Sequence, residues 1–414
     1  MNSRRLVAVA IPLVFAASAV AAGWTDRSEY DLVLSIRAEA LPQKRLALLD
    51  EWKAKYPATE LRQARNELYF AAYQSLGDTP RMLEAAQAML VAQANNLVGL
   101  YWCTLLITQA KEPSPDLLST SEKAARQLLA GLNAAFSPEK KPSSITNDEW
   151  QKQRSAVELL AHRALGWIQW QRRDYAAAEP EFTQGLRLDP NDAEISGWFG
   201  IVLALEKQPE KQVQALWHVA RAASLRDAGA LPAAQRRQMD AALERLYTSY
   251  HGETGGLDQL RAQAAESPFP PKDFTIESAA SIAARRQQEE LLRSNPELAA
   301  WMRIQKQLDI DGGEASWSDL QKAPLPKLKG VLLRFSPPKK PQELVLGMTK
   351  DASEDLTVKL SSPFPNEAEP GITLEFEGAT AESFLRAPFR LTVTADPDKI
   401  EGWPEPPVPA RKRK

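Results

Sequence analysis

The sequence predicts a mainly α-helical protein, a solenoid of helical hairpins followed by a small all-β domain at the C-terminal end. From Asp26 to about Tyr250, apolar residues recur at intervals of three and four, which is the period of amphipathic helices. Within that region Gly200 follows Gly166 by 34 residues, which indicates a repeated unit. From about Leu325 the apolar period changes to two, which is typical of strands.

The size and charge of the chain limit its possible functions. Its 414 residues exceed what one compact core usually serves, so two or three folding units are expected. The formal net charge is only −2, which provides no overall attraction to nucleic acid or to anionic lipid. We therefore expect no nucleic-acid partner.

The first segment, MNSRRLVAVAIPLVFAASAVAAGW, has the features of an export signal. Two arginines precede an apolar run over 6–17, and small residues follow near Ala21 and Ala22. This pattern predicts a signal peptide over 1–22, cleaved after Ala21 or Ala22, and a periplasmic or secreted protein. A retained membrane anchor is the alternative, but the apolar run is short for a span of about 20 residues. No later run is longer, so no stable membrane span is expected after signal removal.

The stretch LGWIQWQRRDYAAAEPEFTQGLRLDP predicts one hairpin in detail. Leu165 lies on the first helix, and Gly166 and Ala178 are small where the two antiparallel helices must approach closely. Phe182 fills the space between the helices, and Pro190 stops the second helix. The close packing of the two helices therefore explains this spacing.

This stretch resembles a tetratricopeptide repeat, whose pattern is W-x2-L-G-x2-Y followed by A-x3-F and a terminal Pro. It differs from that pattern at His162 and Gln169, where large aromatic residues are usual. The best repeats are 159–192 and 193–226, with Gly200 as the second glycine. The resemblance implies a tetratricopeptide-repeat protein of the exported bacterial type.

The same resemblance implies a protein-binding groove. In tetratricopeptide proteins one side of the first helix lines the concave surface, and the corresponding residues here are Arg163, Trp167, Trp170 and Gln171. Trp and Arg are also enriched in interface hot spots. The alternative is that both tryptophans pack in the core, against the previous repeat or against the polar insert 136–148.

The chain divides into further predicted segments after the solenoid, which spans 26–265. Residues 266–324 are expected to form a Pro-rich connector and capping helices. Residues 325–400 contain five alternating stretches, KGVLLRF, ELVLGM, LTVKL, ITLEFEG and FRLTVTA, which predict a five-stranded β-barrel. Its strand order resembles the oligonucleotide/oligosaccharide-binding (OB) fold. Residues 401–414 are Pro-rich and basic and are expected to be disordered.

Reactive and metal-binding residue types are sparse. Cys103 is the single cysteine, and its apolar neighbours indicate a buried small hydrophobe. The three histidines, His162, His218 and His251, have no spacing that would place two of them on one helical face for zinc. Structural roles are expected for Cys103 and for the three histidines.

No other motif points to catalysis. The segment LDIDGGE carries Asp309, Asp311 and Glu314 but lacks the ligand spacing of a calcium loop, so a turn is expected. Nucleophile elbows, phosphate-binding Gly-rich loops and dinucleotide fingerprints are absent from the sequence. We therefore expect no catalytic residues, no metal and no cofactor.

These observations predict an exported scaffold that mediates protein–protein interaction in the cell envelope without catalysis. Its partner would be a protein or a peptide held in a preformed groove. The alternative is an envelope enzyme or glycan-binding protein whose activity resides in the C-terminal β domain.

Overall fold

The computed structural model describes residues 26–309, 313–349 and 353–406. The predicted signal peptide, with its cleavage positions Ala21 and Ala22, lies outside the described residues, as does Asp311. The chain divides into two compact units at Ala279. Across the described ranges, no helix is both long enough and apolar enough to cross a membrane.

The first unit is a succession of α-helices. Short loops separate them, so consecutive helices form hairpins. The described helices are α1 (Arg27–Ala38), α2 (Pro42–Lys55), α3 (Arg62–Leu76), α4 (Thr79–Ala92), α5 (Leu97–Leu106), α6 (Pro115–Ala135), α7 (Asn147–Gln171), α8 (Tyr175–Leu188), α9 (Ala193–Glu206), α10 (Gln212–Ser224), α11 (Ala233–His251) and α12 (Leu257–Glu266). Each helix from α1 to α11 packs against the next, and α12 packs against α10.

Polar caps explain where several of these helices begin. The side chain of Asp78 accepts a hydrogen bond from the backbone N–H of Arg81 at the start of α4. At the start of α7, Thr146 and Glu149 form a reciprocal capping box. Gly77 ends α3 in the left-handed conformation, with φ of 69°, which glycine adopts without steric cost.

Two helix pairs approach so closely that only glycine fits between them. A Cβ atom on Gly166 would lie 2.6 Å from the ring of the fully buried Phe182. A Cβ atom on Gly200 would lie 2.6 Å from Cγ2 and 2.8 Å from the backbone nitrogen of Val219. Leu165 and Ala178 are fully buried beside these contacts.

The end of α8 has a chemical cause. This helix ends at Leu188, and Pro190 follows two residues later, where its ring cannot continue the helix. The carbonyl of Pro190 accepts a hydrogen bond of 2.7 Å from the guanidinium of Arg221 on α10.

Part of the predicted connector belongs to the packing of the first unit. After α12 the chain runs without a helix to Ser278 and lies against α10. Trp217 donates its indole N–H to the carbonyl of Ser267 at 3.3 Å, and its ring lies 4.8 Å from that of Phe274. Phe269 lies edge-on to His218 at 5.9 Å. The segment 267–276 therefore covers Trp217 and is not a free linker.

The second unit contains three described helices and seven described strands. The helices are α13 (Ala279–Ser294), which begins at the unit boundary, α14 (Pro296–Asp309) and α15 (Gly313–Lys322). The strands are β1 (Leu328–Ser336), β2 (Glu343–Gly347), β3 (Leu356–Leu360), β4 (Thr373–Phe376), β5 (Thr380–Arg386), β6 (Phe389–Ala395) and β7 (Ile400–Glu401).

Two helices of the segment 266–324, in which capping helices were predicted, have a different role. Helix α14 buries Trp301, Ile304 and Leu308, at intervals of three and four, in the apolar core of the β-strands. On α15, Trp317 packs against Phe384 of β5 with 4.8 Å between ring centroids. Both helices therefore complete the core of the second unit, because their apolar faces match the buried side of the sheet.

The strands form one sheet in the order β5-β6-β3-β2-β1-β4-β7. All neighbouring pairs are antiparallel except β3 and β6, which run parallel with Val358 opposite Val393. Alternate residues of β3 and β4 enter the core, as the period of two predicts. The predicted class, a mainly α hairpin solenoid followed by a small β domain, is confirmed.

The strand count differs from the five predicted. Strand β5 was not predicted because most of its side chains are exposed, so its sequence lacks an apolar alternation. Strand β7 has only two residues. Between β4 and β5 the chain bends at Gly378, with φ of 69°, and so passes from pairing with β1 to pairing with β6.

The segment 401–404, which was expected to be disordered, makes defined contacts with the rest of the second unit. Glu401 pairs with Glu375 of β4, and the ring of Trp403 stacks on Phe364 at 4.1 Å with an interplanar angle of 3°. Asn366 donates its side-chain amide to the carbonyl of Pro404 at 2.9 Å. Aromatic stacking holds this segment in spite of its prolines, and 407–414 lie outside the described residues.

Candidate functional site

The predicted groove residues are only partly available to a partner. Trp167 is 5% exposed and lies in the apolar cluster shared by α3 to α7, which corresponds to the core alternative and not to the groove. Trp170 is half-buried, with its ring 6.4 Å from that of Trp198 on α9. Gln171 is exposed at the end of α7.

Arg163 is engaged within the chain. Its guanidinium donates a hydrogen bond to Asp192 at 3.1 Å and pairs closely with Glu194. It also lies 5.1 Å above the ring of Trp198, a cation–π contact. Because Asp192 caps α9 through the backbone N–H groups of Glu194 and Ile195, Arg163 joins α7 to the start of the next hairpin.

The two departures from the tetratricopeptide pattern make polar contacts. His162 lies 2.6 Å from Glu181 of α8, and this contact joins the two helices of the hairpin. Gln169 is buried and donates its amide to Glu122 of α6 at 3.1 Å. At these two positions, polar contacts replace the aromatic packing that is usual in the tetratricopeptide pattern.

An open cleft of about 530 Å³ lies over α3, between α2 and α4. This volume is within the range of about 300–1,000 Å³ that is usual for ligand pockets. We call it the α3 cleft. The residues that line it are Asp50, Lys53, Arg62, Arg65, Asn66, Tyr69, Tyr73, Arg81, Glu84, Ala85, Gln87, Ala88, Val91 and Ala92.

One face of α3 forms the floor of the α3 cleft. Arg62, Asn66, Tyr69 and Tyr73 follow one another at intervals of four, three and four, so they share a face of the helix. The amide of Asn66 donates to the carbonyl of Ala88 at 3.0 Å and holds the α4 wall against the floor.

The aromatic part of the floor is a pair of tyrosines. The rings of Tyr69 and Tyr73 are stacked with 6.1 Å between centroids and 18° between planes. The hydroxyl of Tyr69 donates to the carboxylate of Asp50 at 2.7 Å. Burial, and then the hydrogen bond to Asp50, raise the pKa of Tyr69, and burial raises the pKa of Tyr73. Both phenols are therefore neutral at physiological pH.

The charges that line the α3 cleft are mainly basic. Arg81 is paired with Glu84 at 3.1 Å, and the buried Arg65 donates to the carbonyl of Tyr56 at 2.9 Å. Within the described chain, Lys53 and Arg62 are both exposed and make neither a hydrogen bond nor an ion pair.

An apolar side chain stands beside these cations. Val91 on the α4 wall is 81% exposed, the largest exposed fraction among the large apolar side chains of the described residues. The α3 cleft therefore offers aromatic, apolar and uncompensated cationic groups together.

Sequence reasoning missed the α3 cleft because the repeat pattern is weak in this part of the chain. The stretch LYFAAYQSLGD predicts a helix followed by a turn, but its neighbour α2 is separated from it by a loop without a recognisable motif. The signal that could have found it is the spacing of Arg62, Asn66, Tyr69 and Tyr73, which places polar and aromatic groups on one face.

The residues considered for chemistry are poorly placed for it. Cys103 is fully buried, and burial raises the pKa of its thiol to about 12. His218 is buried against the ring of Phe199, 4.4 Å away. Across the described ranges, no group of three or more His, Cys, Asp or Glu side chains is arranged to hold a metal ion.

Comparison with solved structures identifies distant similarities. A structure described as "Functional Characterization of Pseudomonas Aeruginosa pilF" has 14% sequence identity and a TM-score of 0.25, covering 57% of this chain and 96% of its own. A crystal structure of the P58(IPK) TPR domain has 15% identity and a TM-score of 0.24, covering 71% of this chain and 72% of its own. Scores this low carry no argument about function. No protein-family model and no curated protein matches the chain.

Proposed function

We propose that this chain is a scaffold that binds an acidic peptide segment of a partner protein in the α3 cleft, without a chemical step. The observation that carries the proposal is the combination of the stacked Tyr69 and Tyr73 with Lys53 and Arg62, which have no partner within the described chain. Aromatic and Arg side chains in a cleft are the residue types that dominate protein interfaces.

Charge favours an acidic partner. Lys53, Arg62, Arg65 and Arg81 line the α3 cleft, whereas its acidic residues are Asp50 and Glu84. Glu84 is already paired with Arg81, and Asp50 accepts a hydrogen bond from Tyr69. A carboxylate-bearing segment would pair with the cations, and an apolar side chain beside it would contact the tyrosines and Val91.

The test is fluorescence anisotropy with the full chain and two labelled probe peptides, one with leucine between glutamates and one with leucine between lysines. We expect the acidic peptide to bind at least about tenfold more tightly, a difference of about 1.4 kcal/mol. Its affinity should fall as salt is added, because exposed cations provide part of it.

Variants locate the binding surface. Arg62→Gln combined with Tyr73→Ala should weaken the acidic peptide about tenfold or more. Arg187→Gln, which removes an exposed arginine from α8, is the matched control and should leave the affinity unchanged. Equal affinity for both peptides, or equal loss in both variants, would overturn the proposal.

We also propose that the protein is exported, as a cell-envelope scaffold. The support is the sequence of 1–22, with its two arginines, apolar run and small residues. Expression of the whole chain in a bacterium followed by intact mass measurement tests this. A mature protein that begins at Ala22 or Gly23 is expected, and an uncleaved protein in the cytoplasm would contradict it.

A second candidate function is glycan binding by the second unit, whose sheet we infer to be OB-like. When β4 and β5 are counted as one bent strand, that strand pairs with β1 at one end and with β6 at the other. Strand β6 in turn runs parallel to β3. This is the strand order of a five-stranded OB barrel. In the same unit, the rings of Phe335 and Phe364 both contact the ring of Trp403.

Two buried polar atoms in this cluster favour a ligand. Within the described chain, the indole nitrogen of Trp403 and the side-chain oxygen of Asn366 are buried without a hydrogen-bond partner. A sugar hydroxyl would satisfy either atom if the side chains that cover it moved aside. Retention of the full chain on insoluble envelope polysaccharide, and its loss in Trp403→Ala, would support this function. Absence of retention would eliminate it.

A further inference from the structure

A second pocket, of about 290 Å³, lies in the first unit where the end of α10 meets α11 and α12. It shares no residue with the α3 cleft, and its most frequent residue is arginine. We call it the arginine pocket. The residues that line it are Ala223, Ser224, Arg226, Ala233, Arg236, Arg237, Asp240 and Arg261.

Among the residues that the structure describes, most of these arginines have no carboxylate partner. Arg226 donates to the carbonyls of Ala223 and Leu225, at 2.7 and 3.1 Å, and Arg236 donates to the carbonyl of Leu231 at 3.3 Å. Such contacts orient a guanidinium and leave its positive charge uncompensated.

Arg237 makes fewer contacts than Arg226 and Arg236. It is exposed and, over the ranges that the structure describes, forms neither an ion pair nor a hydrogen bond. It stands next to Arg236 in α11, and both line the same pocket. Two guanidinium groups that line one pocket repel each other, and an anion bound between them would reduce that repulsion.

The remaining arginine is held by the local acidic residues. Arg261 of α12 is paired with Asp240 at 2.9 Å and with Asp258 at 2.7 Å. Asp240 is the single acidic residue that lines the pocket, and this ion pair already uses it. The pocket therefore has an excess of positive charge, and its lining residues come mainly from three helices.

We propose that the arginine pocket binds a phosphate-type oxyanion, either free phosphate or the phosphoryl group of a phosphomonoester. Guanidinium groups present paired N–H donors that match the oxygens of phosphate, and they stay charged at all physiological pH values. The pocket volume accommodates a phosphoryl group together with atoms attached to it.

This inference is independent of peptide binding in the α3 cleft, because the two sites lie on different hairpins. The experiment is isothermal titration calorimetry of the full chain with sodium phosphate and with phenyl phosphate, at constant ionic strength set by sodium chloride. Saturable binding of at least one of the two is expected. Absence of saturable heat for both at up to about 10 mM would overturn the proposal, since weaker binding corresponds to less than about 3 kcal/mol.

Comparison of the two ligands identifies the source of the phosphoryl group. Tighter binding of phenyl phosphate indicates a phosphomonoester that fills the pocket beyond the anion, and tighter binding of inorganic phosphate indicates the free ion. Either result supports the oxyanion site.

Variants test the location. Arg236→Gln combined with Arg237→Gln should weaken binding about tenfold or more. Arg245→Gln is the matched control, because Arg245 is an exposed arginine of the same helix that does not line the pocket. If the control loses as much affinity as the double variant, the anion is responding to overall charge and the proposal is wrong.

A third variant moves the affinity in the opposite direction. Asp240→Asn removes the acidic residue that lines the pocket and releases one side of Arg261, so phosphate should bind about threefold or more tightly. Thermal unfolding of each variant shows whether it is folded, and Arg226→Gln replaces the double variant if that variant does not fold. Unchanged or weaker binding by folded Asp240→Asn would contradict the proposed place of the anion.

Discussion

The hairpins α3–α4 and α7–α10 have the same architecture but use their aromatic and basic side chains differently. In α7–α10, Trp167 is buried, Trp170 lies near Trp198, and Arg163 is paired with Asp192. In α3–α4 the stacked tyrosines and exposed cations line an open cleft. The central hairpins therefore use these groups in contacts within the chain, whereas in α3–α4 they line an open cleft.

The difference shows that the type of a residue and its position on a helix do not by themselves determine whether its side chain is buried or lines a surface. Arg163 and Arg62 both lie one or two turns before an aromatic residue on the same helix. Of the two, Arg163 alone has acidic partners among the described residues, because the next hairpin begins with Asp192 and Glu194. If this comparison is correct, substitutions in α7–α10 should change stability, whereas substitutions in the α3 cleft should change binding.

The largest effect is expected at Arg221, which is buried at the end of α10. Its guanidinium donates to the carbonyls of Ala264, Ala265 and Pro190 at 2.7 to 2.9 Å. Arg221→Met leaves these oxygens without a donor and should lower the free energy of unfolding by about 3–5 kcal/mol. Urea denaturation measures this. The exposed Arg187→Ala is the control, and an equal loss in both would contradict the account.

The next largest effect is expected from Gly200→Ala. The added Cβ would meet both the backbone nitrogen of Val219 and, at 2.9 Å, the carbonyl of Ala215, so the two helices must separate. A loss of about 3 kcal/mol is expected from such overpacking. Gly131→Ala on α6 is the matched control, because no atom lies within 4 Å of its added Cβ. This control should gain about 0.5–1 kcal/mol, and destabilisation of both variants by similar amounts would refute the packing argument.

A smaller effect, which depends on pH, is expected at His218. Burial and then the nearby charge of Arg221 lower the pKa of His218 to about 3, so the folded protein holds the imidazole neutral. In the unfolded chain its pKa is about 6.5, so between these values the unfolded state binds more protons. Stability from this residue is complete above about pH 6.5 and falls as the pH is lowered towards about 3.

The pH dependence can be measured by comparing His218→Gln with the native chain. Between about pH 7.5 and pH 5 the native chain should lose about 2 kcal/mol more than the variant. Urea denaturation at both pH values gives the two differences. Parallel losses in both proteins would show that His218 does not titrate on unfolding in this range.

The smallest effect on stability is expected in the α3 cleft. Arg62→Gln should change the free energy of unfolding by less than about 0.5 kcal/mol, since this exposed side chain has no ion pair to lose within the described chain. The same variant should weaken the acidic probe peptide. A large loss of stability would end the proposed division between the two regions.

The hairpins with the clearest repeat pattern were the most predictable part of the fold. The spacing of Gly166, Ala178 and Phe182 is local, and the close helix contact it predicts depends on no distant residue. The burial of Trp167 was not predictable, because most of the cluster in which it lies comes from α3 to α6, upstream in the chain. Arg221 had no sequence signal, since its partners at Ala264 and Pro190 are backbone oxygens that any residue provides.

The cleft and the second unit show the same limit. The α3 floor can be read from its helical spacing, but the loop between α2 and α3 hides the Asp50 contact that orients Tyr69. In the second unit, the period of two identifies the buried strands but not β5, whose exposed residues carry no alternation. The position of α14 was also unpredictable, because an apolar helical face does not specify which core it joins.

The segment 267–276 has a consequence for the number of molecules in an assembly. A stack of hairpins is an open-ended architecture, since the surface that ends it resembles the surface that joins its units. Phe274 and Ile276 lie on the apolar cluster of α10, α11 and α12. A chain cut after Glu266 would bare Trp217, and a heterologous contact there could add one molecule to the next into a fibre. Because the segment 267–276 covers Trp217, that apolar surface is closed to such a contact in the intact chain.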